Sequence, residues 1–200
     1  MTVKKRLVDS AIGLLRRRGV AGTGLAAVLE DSAVARRSIY LNFPDGKNQL
    51  VAEATRVAGE RVHSRMLRHE GTAEELIAIL IQNWIKELQQ TDFRAGCPVA
   101  AAAMGHEVAA EAGIAAGDAF EAWTEALASS YEADGLARRE AQTSATLAVC
   151  AIEGAIILAQ ATRSIEPLQR IAEGLTGASG AGGEAAGSSG ESRQLPWLLL

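Results

Sequence analysis

The chain has 200 residues, 48% of them hydrophobic and 22% charged, with a net charge of −4. That length suits one compact unit or two small ones with a sizeable core, and two cysteines, Cys97 and Cys150, are too few for a disulfide framework or a zinc cluster. No long apolar run follows the positive charges of Met1 to Arg6, which argues against a secretory leader; the strongly apolar stretch near residues 155–161 is too short to cross a bilayer, so the expectation is a cytoplasmic protein with no membrane, metal or cofactor.

The small net charge conceals an asymmetry. Residues 1–70 hold 13 Lys and Arg against 7 Asp and Glu (+6), and residues 71–200 hold 7 against 17 (−10). A basic first third on an acidic remainder fits a part that meets phosphates joined to one that does not. The competing reading is chance clustering of solvated helix charges. Apolar residues recur every three or four positions, and prolines number only 4, so the fold class is all-α.

In chain order, Thr2 is the predicted N-cap of a first helix over residues 2–18, with Val3, Leu7, Ala11, Leu14 and Leu15 as its apolar stripe. Gly19 suits the left-handed stop after it, and Arg16, Arg17 and Arg18 suit the negative end of the helix dipole. Thr23 is the predicted N-cap of a second helix through Leu25 to Leu29. Residues 32–34 form a turn and residues 35–41 a third helix, which Pro44 ends. Asp45 and Gly46 open a fourth helix reaching residue 67 or 68, its inner face Leu50, Ala54, Val57 or Ala58, and Val62. Thr72 with Glu75 makes a capping-box pattern ahead of Leu76, Ile77, Leu80, Ile81, Trp84, Ile85 and Leu88. A loop over residues 92–98 leads to an Ala-rich helix over 99–112. Another covers 115–133, a further one 137–162 with an interruption at Gly154, and a last one 167–175, opened by Pro167. Beyond residue 176 the composition turns to Gly, Ala and Ser, which predicts disorder over 176–200. The apolar end, residues 195–200, reads as a docking peptide or a poorly ordered tail.

This order divides the chain into a three-helix reader over residues 1–48, a connecting helix over 46–68, and a helical body over 72–175. Two short helices joined by a tight turn make a helix-turn-helix, whose second helix enters the major groove of DNA. Arg36 and Arg37 fall at the start of that helix, where a guanidinium can grip guanine with two hydrogen bonds. Ser38 is short enough for close approach. Tyr40, Thr23 and Lys47, with the free amides opening the fourth helix, can hold phosphates. Singly, Tyr40 could be a spacer between helices, and Arg36, Arg37 and Lys47 solvated charges.

Residues 5–55 resemble the N-terminal domain of the TetR family of transcriptional regulators: Arg18-Gly19, then Thr23, then Tyr40-Leu41-Asn42-Phe43, then Lys47. The resemblance implies that Thr23, Tyr40 and Lys47 hold phosphates while Arg36, Arg37 and Ser38 read bases of a double-stranded operator. Asn42 replaces the family's usual histidine and can bond a phosphate, and Ala33 replaces its common glycine. Phe43-Pro44-Asp45-Gly46-Lys47 and Arg94-Ala95-Gly96-Cys97-Pro98-Val99-Ala100 resemble the LmrA/YxaF branch.

The resemblance also implies a C-terminal domain that binds a small effector and forms a homodimer, in a family that mostly represses. Trp84, Cys97, Met104, Phe120, Trp123, Tyr131 and Cys150 either line such a cavity or are ordinary core. Few polar groups accompany them, so the effector reads as apolar or aromatic, with His106, Glu107 and Glu153 as candidate polar contacts. Thr146, Val149, Ile152, Gly154 and Ile156 face either a second copy or their own core. His63, His69 and His106 are scattered without ligand spacing, and no nucleophile sits beside a base, so an enzyme is not expected. Two other readings remain open: a redox-sensing regulator working through Cys97, and a helical interaction protein that never meets DNA.

Overall fold

The structure, a computed structural model, describes residues 1–177. Among them the helices follow in the order α1 (Val3–Gly22), α2 (Leu25–Ser32), α3 (Arg36–Asn42), α4 (Lys47–Leu67), α5 (Ala73–Gln90), α6 (Pro98–Met104), α7 (Ala110–Ala133), α8 (Arg138–Thr162) and α9 (Glu166–Thr176), with no strand. The expectations for residues 178–200, including the apolar end, lie outside the described residues. Thr176, which the composition assigned to the tail, still belongs to α9.

α1 begins as its sequence requires. The Thr2 hydroxyl accepts the Lys5 amide at 3.2 Å, and Leu7, Ala11, Leu14 and Leu15 are fully buried while Val3 is exposed. Gly19 adopts the expected left-handed φ of 64 and breaks the regular helix, with a short further turn beyond the kink. The chain runs on to Gly22, and Thr23 caps that end: its amide bonds the Val20 carbonyl and its hydroxyl donates to the Gly19 carbonyl at 2.7 Å. The expectation that Thr23 opens α2 is therefore corrected; Gly24 holds that position. The bend at Gly19 frees a carbonyl, and the nearest hydroxyl takes it.

α1, α2 and α3 close around Leu7, Leu15, Val28, Ile39 and Phe43, with Leu50 of α4 beneath them. α4 rests on α1 through this core and through Lys4 with Glu53 at 2.9 Å and Asp9 with Arg61. It then leaves the reader and packs along α7. There Gly59 permits the approach, because a Cβ on it would lie 2.6 Å from Ala119 Cβ. The buried Trp123 indole donates to the Gly59 carbonyl at 2.9 Å. α8 covers α7, α9 covers α5 and α8, and α6 joins α1 to α7.

The Thr72 and Glu75 capping box is present at α5. Two expected boundaries fail. The helix foreseen over 99–112 ends at Met104, and α7 starts at Ala110 rather than 115. Gly105 caps α6 where Val20 of α1 presses in; a Cβ there would lie 2.4 Å from Val20 Cγ2. Gly154 does not interrupt α8, since one glycine costs a long helix only about 1 kcal/mol. α8 also corrects the reading that no stretch could span a bilayer: by length and composition Arg138–Thr162 could. Its inner residues Ala141, Ala145, Ala148, Ile152, Ala155, Ile156 and Ala159 are buried within the body. A core helix passes the same test.

Candidate nucleic-acid interface and control cavity

The turn between α2 and α3 depends on Ala33, which takes a left-handed φ of 50. Arg6 fastens it from α1, its guanidinium donating to the Ser32 carbonyl at 2.5 Å and the Ala33 carbonyl at 3.1 Å. Nothing in the pattern around Arg6 singles it out in the sequence, because the partners are backbone atoms 26 and 27 residues away. α3 buries Ile39 on its inner side, and Phe43 just past its end is buried with it. Its other side presents Arg36 and Arg37, with Tyr40 50% and Leu41 71% exposed.

Charge pairing separates two kinds of cation here. Lys4, Lys5, Arg16, Arg17, Arg56 and Arg61 each meet a carboxylate. Arg36, Arg37 and Lys47 have no ion pair among the described residues, so their charge is free for an anion. Tyr40 leans over the start of α4: a Cβ on Gly46, whose φ is 70, would lie 4.0 Å from Tyr40 Cε1. The first-turn amides of α4 lack intrahelical acceptors, so the tyrosine, Lys47 and a helix N-terminus share one corner.

Three expected site residues are less free. Thr23 is 1% exposed, its hydroxyl spent on Gly19. Asn42 turns its amide back to the Ser38 carbonyl at 2.7 Å. Ser38 is half-buried.

The aromatic and sulfur residues of the body do not form one group. Trp84 and Trp123 line a cavity of about 40 Å³ between α4, α5, α7 and α8, with Val62, Met66, Leu80, Leu127, Val149, Ile152 and Glu153. Phe120 sits edge-on to Trp123 at 5.3 Å, half-buried. Met104 is 81% exposed, and Tyr131 lies in an open groove with Thr72 and Leu136. His106 and Glu107 are exposed, and so is Cys150. Of the α8 residues that could face a second copy or their own core, Ile152 and Ile156 are buried and Val149 half-buried, while Thr146 is exposed; the outward apolar residues of α8 are Leu147, Ile157 and Leu158.

Glu153 borders both this cavity and a neighbouring hollow that holds Cys97 and Arg16. Burial pushes its carboxyl up to about 7, although the Cys97 thiol beside it pulls the other way. Burial and the Glu153 charge push the Cys97 thiol well above its ordinary range. A thiol kept protonated and only 6% exposed is a poor nucleophile, which removes the support for redox sensing through Cys97.

Sequence reading also passed over Arg16 as a domain tie. Its Nε donates to the Gly96 carbonyl at 3.1 Å, its Nη2 meets Glu87 at 2.6 Å, and its own carbonyl accepts the Gly96 amide at 2.9 Å. The guanidinium also stands 5.8 Å from the Trp84 ring centre. One residue of α1 thus fastens the reader to α5 and to the loop before α6.

A two-helix reader on a buried three-helix core, continued by one long helix into an all-helical body, defines a helix-turn-helix transcriptional regulator. The chain belongs to the TetR family. Residues 7–54 match the family described as bacterial regulatory proteins, tetR family, and residues 73–174 match the C-terminal domain described as transcriptional regulator LmrA/YxaF-like. A helix-turn-helix transcriptional regulator of Mycobacterium tuberculosis is 37% identical over 84% of this chain and 89% of that one. The regulator LmrA of Bacillus subtilis is 26% identical over 84% and 92%. Among solved structures, a TetR regulator from Legionella pneumophila superposes with a TM-score of 0.80 at 16% identity, covering 89% of this chain and 97% of that one. Reduced NemR of Escherichia coli superposes with 0.73 at 19%, covering 87% and 95%. The protein is accordingly a DNA-binding regulator of a non-enzymatic class.

Proposed function

We propose that this protein is a homodimeric repressor of the cytoplasm that a small molecule releases from a palindromic operator. The observation that carries the reading is the exposed, unpaired Arg36 and Arg37 pair at the start of α3. Arg36, Arg37 and Ser38 read base edges. Tyr40, Lys47 and the α4 amides grip the backbone, while Thr23 and Asn42 act by fixing the helix ends that carry those groups. Residues 1–48 then form the reading domain, α4 the connection, and residues 72–175 the effector and dimerisation domain.

The effector enters between α4, α5, α7 and α8. A cavity of about 40 Å³ is far below the roughly 300 Å³ or more that drug-sized ligands occupy, so on this reading an effector parts the four helices as it enters. A ligand that wedges the cavity open presses Trp123, whose indole holds the α4 backbone. α4 tilts, and the separation of the two reading heads changes. Operator affinity falls by the ligand's differential affinity for the two shapes.

Selection of bound fragments from a random duplex pool tests the first half, with a palindromic consensus expected. On that consensus Arg37→Ala loosens base preference, and Lys47→Ala weakens all sequences alike while flattening the slope of log affinity against log salt by about one phosphate contact. Equal binding by the double variant and the parent would remove α3 from the interface.

A further inference from the structure

The structure leaves one polar atom of the control cavity without a partner. Glu153 Oε2 is buried and accepts no hydrogen bond among the described residues, while the walls around it are Met66, Trp84, Trp123, Leu127 and their aliphatic neighbours. A carboxylate held among apolar side chains is costly unless a cation or donor meets it. No cation among the described residues does so. Arg16 and Arg17, which border the neighbouring hollow, are committed to Glu87 and Asp31. The Cys97 thiol does hydrogen-bond the Glu153 carboxyl, but a thiol is a weak donor and leaves Oε2 unmet. A purely apolar ligand would seal the carboxyl off further without satisfying it, and an anion would be repelled by it.

We propose that Glu153 is the charge-recognition group of the control cavity, selecting effectors that join an aromatic or aliphatic body to a protonated amine. This rests on the reading that the cavity takes the effector, and it replaces the apolar effector foreseen from composition. The amine meets Oε2 while the body spreads the walls. The indoles of Trp84 and Trp123 add faces that attract a cation as well as they pack a ring. An acceptor that the surrounding side chains leave unmet thus becomes a selection rule for what enters the cavity.

Three probes of one shape test this on the full chain by titration calorimetry at pH 7.5: 2-naphthylmethylamine, the neutral 2-naphthylmethanol and the anionic 2-naphthoate. The amine is expected to bind the parent about tenfold or more tighter than the alcohol, as a charge-assisted hydrogen bond implies, and the naphthoate weakest of all. In Glu153→Gln, which keeps shape and size, that advantage disappears while alcohol affinity holds; a thermal melt verifies that the variant is folded. Equal affinity of amine and alcohol for the parent, or an advantage that survives Glu153→Gln, overturns the charge assignment and leaves the effector cavity standing. Binding of neither amine nor alcohol overturns both readings.

Discussion

Single residues settle two of the properties that matter most. Glu153 carries a pH signature of its own. Its carboxyl is raised by burial from an ordinary 4.5 to about 7, so between those values the folded protein holds a proton that the unfolded chain has released. Stability must then fall as pH rises through that window and level off above it, by up to the order of 3 kcal/mol at about 1.4 kcal/mol per pH unit. Urea unfolding at pH 5 and pH 8 should show this loss in the parent and much less of it in Glu153→Gln. An unchanged difference between the two proteins would mean that Glu153 is solvated. Cys97 lies at the other limit. Its raised thiol predicts slow alkylation in the folded state and no role for oxidation in release, whereas Cys150 on the surface should alkylate readily.

At the scale of helices, the α4 and α7 crossing depends on one missing side chain. Gly59→Ala should lower the unfolding free energy by about 1–3 kcal/mol, as overpacking does, because the new Cβ would lie 2.6 Å from Ala119 Cβ. Ala119→Gly in the same chain should restore part of that loss, giving a coupling well above zero in a double-mutant cycle; strict additivity would mean the helices do not touch there. The helices themselves were legible wherever their signals are local. Thr2, the Thr72 and Glu75 box, and Pro44 act within a few residues, and each end forms where they predict. The failures come from distance. α6 ends at Gly105 because Val20, 85 positions earlier, occupies the space. Thr23 closes the short turn after Gly19 instead of opening α2, because the Gly19 carbonyl at the kink takes its hydroxyl. Of the candidate reading surface, Arg36, Arg37, Tyr40 and Lys47 were visible as residue types in order. Arg6 and Arg16 were not, since their partners are carbonyls and carboxylates that only the fold brings near. The isolation of Glu153 depends on which faces of four helices meet, and no spacing encodes that.

For the molecule as a whole, the unresolved business of α8 is its outer side. Leu147, Ile157 and Leu158 are each more than half exposed, on a helix otherwise apolar enough to cross a bilayer. A second copy is the occupant that fits a regulator of this family, and two-fold pairing would set the reading heads roughly 34–36 Å apart or somewhat further. Ile157→Asp with Leu158→Asp should sediment as a monomer at micromolar concentration and lose about a hundredfold or more in operator affinity, since the two heads would no longer bind as one unit. A dimer that survives both charges would move the interface elsewhere. The clasp at Arg16 then acquires a mechanical meaning. It pins the far end of α1 to α5 and the Gly96 loop, while α4 is gripped at Gly59, so the head is held at two points, and in the proposed release a small lean of α4 would swing α3 about Arg16 as a lever swings about its fulcrum. Take the fulcrum away with Arg16→Ala, and the protein should still hold its operator and still take up its inducer, yet no longer let go of one on meeting the other.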